Sequence, residues 1–189
     1  MCAKIPFPSV EDLQEESERL YEALSQEHDV PCILLSTSFL DQCLASLLER
    51  FLMDGQTARG LLNYKGVLGT FSARTDLTYC LGLISKGIFQ NLRTLGEIRN
   101  AIAHSYLSRS FDDSDISVWC FKLLLPRMKW KRAEKDDSEP KGEFKFADLF
   151  VQNPKARFVL CVSLLANDLI SMGKKLEQRS KLTNHWDPI

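Results

Sequence analysis

The sequence predicts an all-α protein, a single-domain helical bundle of five or six main helices with a charged insertion near residues 127–147. Three observations carry that expectation. Apolar residues recur at the three- and four-residue spacing of a helix in segment after segment. Cap-forming residues stand where those segments begin. No stretch alternates apolar and polar residues convincingly, as a half-buried strand would, and there is no internal repeat.

Taken in order, Ser9 with Asp12 three residues later resembles a capping box. Val10, Leu13, Leu20, Tyr21 and Leu24 then follow at helical spacing to about His28. Asp29 and Pro31 read as a cap and an early helical proline for the next segment. There Ile33, Leu34, Phe39, Leu40, Cys43, Leu44, Leu47, Leu48 and Phe51 cover more than one face, so this helix should be the most buried. Three glycines come between Asp54 and Gly69, and this stretch reads as a long loop with one short helical turn around Leu61 and Leu62. Loops of that length tend to bind or regulate.

The stretch "FSARTDLTYCLGLI", residues 71–84, reads as helix stopped by "SKG", and 86 to about 106 as another. "SFDDSD" caps a helix from about Ser114 to Leu125, ended by Pro126; Asp112, Asp113 and Asp115 read as its cap residues before they read as metal ligands. Residues 127–147 are charged, contain Pro140 and Gly142, and read as an exposed insertion, a short hairpin. Asn153 and Pro154 cap a last long helix with a broad apolar face from Phe158 to Leu176, and residues 180–189 read as a short flexible tail.

Composition narrows the function. With 189 residues, 44% apolar and 26% charged, the chain suits one soluble domain. Twenty-four basic and 25 acidic side chains leave no global field to hold a polyanion, so any nucleic-acid contact must be local. Uninterrupted apolar runs such as "FVLCV" are too short to cross a bilayer, and the N-terminus lacks an apolar core of signal-peptide length. The expected address is cytoplasmic, with no membrane. Cys2, Cys32, Cys43, Cys80, Cys120 and Cys161 form no C-x-x-C pair and read as reduced thiols, five of them within apolar helical patterns. No metal or cofactor is expected.

The chemistry-bearing motif is "LGEIRNAIAHSY", residues 95–106. On a straight helix Arg99 falls inside the apolar arc of Ile88, Leu92, Leu95, Ile102 and Tyr106. His104 points about 140° away and lies about 7.5 Å further along, on the face of Arg93, Glu97 and Asn100. A guanidinium buried in that arc needs a partner, such as Asp41 or Asp76. One reading is a structural arginine paired to an acid, with Asn100 and His104 bonding backbone near the helix end. The other is a phosphodiester site in which His104 passes a proton and Arg99 holds a phosphate.

The run "GVLGTFSARTDLTYCLGLISKGIFQNLRTLGEIRNAIAHS" followed by "SFDDSDI" resembles the signature region of the mannitol operon repressor (MtlR) family. With "CILLSTSFLDQCLASLLERFL" before it and "NPKARFVLCVSLLANDLI" after it, the similarity spans roughly residues 30–172. That family in turn is similar to the HEPN superfamily of helical domains, whose Arg-x4-6-His motif Arg99 and His104 satisfy. For active members the resemblance implies a homodimer whose two motifs build a metal-independent ribonuclease site. His104 would then be the proton-transfer residue, Arg99 the phosphate contact and Asn100 the residue positioning them. For repressor-type relatives it implies regulators that lack an obvious DNA-binding domain and act through other proteins.

This chain agrees with that absence: no helix-turn-helix with a basic recognition helix is present. Its one basic cluster, Arg127, Lys129, Lys131 and Arg132 around Trp130, is followed at once by acids and offers a weak nucleic-acid contact. No phosphate loop or nucleophile elbow is found. The first expectation is therefore a cytoplasmic, dimeric helical regulator that represses transcription through a protein partner, with Trp130, Phe144 and Phe146 as a contact patch. The alternative is an endonuclease of the HEPN kind, with RNA as its partner.

Overall fold

Ser9 starts the first helix as its spacing demands. Its hydroxyl accepts a hydrogen bond from the Asp12 amide (3.1 Å), and the Asp12 carboxylate accepts one from the Ser9 amide (3.1 Å), closing a capping box. A computed structural model describes residues 8–52, 55–105, 109–125, 127–128, 144–145 and 153–176. Seven helices are formed among them: α1 Val10–Gln26, α2 Asp29–Phe51, α3 Gln56–Leu62, α4 Phe71–Cys80, α5 Lys86–Ala103, α6 Ser114–Lys122 and α7 Pro154–Lys175. Asn153 caps α7 as expected, its side-chain oxygen accepting from the Ala156 amide at 3.0 Å.

Several boundaries differ from the sequence expectation: α5, expected to about residue 106, ends at Ala103, and α6, expected to Leu125, ends at Lys122. His28, not Asp29, occupies the cap position of α2. Asp29 instead accepts from the Phe111 amide (3.2 Å) and pairs with Lys155 (3.5 Å), tying the start of α2 to two distant segments. The helix begun at Phe71 stops at Cys80 rather than near residue 84. Gly82 takes a left-handed φ of 71°, the Leu83 amide bonds back to the Thr78 carbonyl (3.1 Å) and the Gly82 amide to that of Tyr79 (2.9 Å). That is a Schellman stop, which glycine forms without steric cost. Ser85 therefore belongs to the next helix, its hydroxyl capping α5 at the Ile88 amide (3.4 Å). Finally, α3 makes two turns where one was expected.

The ends of the charged insertion close on each other. β1 (Arg127–Met128) and β2 (Phe144–Lys145) pair antiparallel with Arg127 opposite Lys145, which is the base of the expected hairpin. Lys129, Trp130, Lys131, Arg132, Phe146, Tyr106 and the tail at 180–189 lie outside the described residues, as do the side chains of Arg127 and Phe144. Both contact patches expected of the insertion therefore lie beyond what the structure describes.

α2 and α7 form the spine. They pack on each other, α1 lies across both, α6 packs on α7, and α4 and α5 pack on α2. One core joins them and contains Leu40, Leu44 and Leu47 of α2 with Phe158, Val162 and Leu169 of α7. Both spine helices have the length and hydropathy of a membrane span, a property that uninterrupted apolar runs had hidden. At least half of each such stretch is buried inside the bundle, as in the core helix of a soluble protein. Cys32, Cys43, Cys120 and Cys161 are buried free thiols, whereas Cys80 is exposed, contrary to its expected core position. Burial pushes the thiols of Cys43, Cys120 and Cys161 up to about 12.

Asn91 of α5 anchors the end of α6. Its amide nitrogen donates to the Leu124 carbonyl and its oxygen accepts from the Leu124 amide, both at 2.8 Å. Arg157 of α7 seconds it by donating to the carbonyls of Cys120 (3.1 Å) and Leu123 (2.7 Å). Asn91→Leu strands both Leu124 groups, so we expect a loss of about 1–3 kcal/mol in urea denaturation. An unchanged midpoint would show that the pairing contributes nothing.

Candidate functional site

Helical spacing builds a groove of about 730 Å³ between α2, the start of α4 and α5. Leu34, Thr37, Ser38 and Asp41 lie on successive turns of α2 and form one wall. Leu92, Arg93, Gly96, Glu97, Arg99 and Asn100 form the α5 wall in the same way. The segment from Gly69 to Thr75 closes the end, with Phe71 resting against Gly96.

At the edge of this groove sits a buried arginine that the sequence reading did not single out. Arg74 of α4 is 5% exposed. It donates from Nη1 to Asp41 Oδ2 (2.5 Å), from Nη2 to the Leu62 carbonyl (2.8 Å) and from Nε to the Leu68 carbonyl (2.8 Å). One guanidinium thus joins α2, the end of α3 and the loop before α4. A planar fork of donors is suited to such a junction, and an ammonium is not. The loop is compact enough to present its carbonyls. The Gly66 amide bonds the Asn63 carbonyl (2.7 Å), and a Cβ on Gly66 would collide with the carbonyls of Leu61 and Gly60. Burial pushes the Asp41 carboxyl up from its ordinary value, against the opposing pull of Arg74 and of Arg99 across the groove.

These pairings correct the expectation for Arg99. Asp41 is held by Arg74, and Asp76 faces Arg93 at 3.4 Å in a half-exposed pair worth less than about 1 kcal/mol. Arg99 itself is exposed and donates to Asn100 Oδ1 at 3.1 Å. Its angle on the helix was read correctly, since it lies on the side facing α2, but the space there is an open groove and not packed core. His104 ends α5, its amide bonding the Asn100 carbonyl (3.1 Å), and its exposed side chain is not among the residues lining the groove. Arg99 and Asn100 are therefore brought together and His104 is not, within one copy of the chain.

The acids before α6 also have partners. Asp113 occupies the cap position without a side-chain cap bond. It pairs with Arg109 (3.0 Å), which also meets Asp115 (2.5 Å). The bond from Arg109 holds the Asp115 carboxyl below its usual value. Among the described residues, no three His, Cys, Asp or Glu side chains are placed to share a metal ion.

The seven helices, with a groove along the second, define an all-α helical bundle. The chain belongs to the mannitol repressor family, whose model matches residues 16–162. Its fold is similar to that of a chain in the X-ray structure of the MtlR–HPr complex from Escherichia coli, with a TM-score of 0.58 and 21% identity, over 82% of this chain and 99% of that one. No curated protein matches it.

The Arg74 junction is open to a direct test. Arg74→Leu leaves Asp41 without its partner and two carbonyls unmatched, for an expected loss of about 3–5 kcal/mol in chemical denaturation. Arg74→Lys, with one compact donor group, should recover only part of it. Equal stability of Arg74→Leu and wild type would remove the junction from the account.

Proposed function

We propose that this chain is a cytoplasmic regulator that represses transcription by engaging a protein partner and does not itself read DNA. The observation that carries the reading is membership of the mannitol repressor family over residues 16–162. The partner is proposed to be HPr or a protein like it, by analogy with the complex in which the structural neighbour was solved. Surface charge supports a protein over a nucleic acid. The most charged helix is α1, whose exposed Glu11, Asp12, Glu15, Glu16, Glu18 and Glu22 outnumber Arg19 and would repel a phosphate backbone. The free thiols of Cys32, Cys43, Cys80, Cys120 and Cys161 suit a reducing compartment.

The endonuclease alternative retains one favourable observation, the presence of Arg99 and Asn100 on the groove wall. It requires a second copy of the chain to bring His104 to that groove.

Titration calorimetry with HPr from the same organism should give a saturable complex, while promoter DNA is not retarded by the chain alone. Retardation of DNA without any HPr binding would overturn the reading. RNA incubated with the protein in chelator should stay intact. Cutting that leaves cyclic phosphate ends and is lost in Arg99→Ala and His104→Ala would move the assignment to the endonuclease.

A further inference from the structure

Two buried polar atoms at the groove have no hydrogen-bond partner: Asp41 Oδ1 and Thr75 Oγ1. Thr75 is 0% exposed and lines the groove with Asp41. Leaving such atoms unpaired costs about 1–3 kcal/mol each, so a group that satisfies both at once has a strong claim to the space beside them. A hydroxyl does this, because it can give its hydrogen to the carboxylate oxygen and accept the threonine hydrogen. An ammonium group is disfavoured there, since Arg74 already neutralises Asp41 and Arg99 acts on it across the groove.

The outer part of the groove asks for a different group. Arg99 is exposed, and its described hydrogen bond is to the neutral Asn100 amide oxygen, so the guanidinium keeps donors for an anion. Arg93 stands on the same wall, donating at long range to the Ser72 hydroxyl (3.3 Å) and to Asp76 (3.4 Å). Glu97 lies between the two arginines and sets an opposing charge, which favours one compact anionic group near Arg99 over a polyanion. The groove volume, about 730 Å³, is that of a small-molecule site.

We propose that this groove binds a small hydroxylated anion, with a hydroxyl at Asp41 Oδ1 and Thr75 Oγ1 and the anionic group at Arg99. The site needs no protein partner, so its test is separate from that of the regulatory reading.

The experiment is calorimetry and thermal unfolding on the full chain with four probes: glucitol 6-phosphate, gluconate, neutral glucitol and inorganic phosphate. At least one of the two polyol anions should raise the melting temperature and bind about tenfold more tightly than either glucitol or phosphate. The phosphate and carboxylate arms identify which anionic group the site takes. Arg99→Ala should bring the preferred anion down to the affinity of glucitol. Thr75→Val, which keeps the side-chain shape, should weaken both about tenfold with unchanged circular dichroism. The proposal is overturned if neither polyol anion binds, if phosphate alone or glucitol binds as tightly as the anions, or if both variants bind like wild type.

Discussion

The structure depends on one guanidinium. Arg74 is placed where α2, α3 and the loop before α4 would otherwise leave a carboxylate and two carbonyls buried and unmatched. Its three nitrogens resolve that conflict together, and the cost of burying charge is offset because each nitrogen donates to an acceptor. The groove is a by-product of the same junction. Arg74 fixes one carboxylate oxygen of Asp41, a residue that lines the groove, and leaves the other buried without a hydrogen-bond partner.

The parts of this fold that were legible in the sequence are the local ones. Ser9 and Asn153 announce their helices because a cap acts within three residues of itself. The apolar coverage of α2 announced its central place because a helix without a polar side must be enclosed. What escaped was non-local or depended on filling. Asp41 and Arg74 are 33 residues apart, and no periodicity links an acid on one helix to a base on another. Gly82 looked like an interior glycine because its role comes from two hydrogen bonds reaching back over the turn. For Arg99 the helical angle was informative and the burial was not, since a wheel gives a direction but not whether a neighbour occupies it.

The surface divides its labour. α1 turns a row of carboxylates to water, and α5 offers arginines with one glutamate between them beside a polar groove. A chain whose total charge nearly cancels thus carries separate regions of opposite sign, which steer partners by orientation more than by attraction at a distance. Such a distribution suits recognition of one face of a folded protein.

The clasp between Asn91 and Leu124 sets how the hairpin base is mounted. Leu124 lies three residues before β1, and the helix that grips it also supplies one wall of the groove. A pull on β1 therefore meets Asn91 of α5 through a pair of 2.8 Å bonds and, one residue earlier, Arg157 of α7 at the Leu123 carbonyl. The mounting of β1 and one wall of the groove thus belong to the same helix.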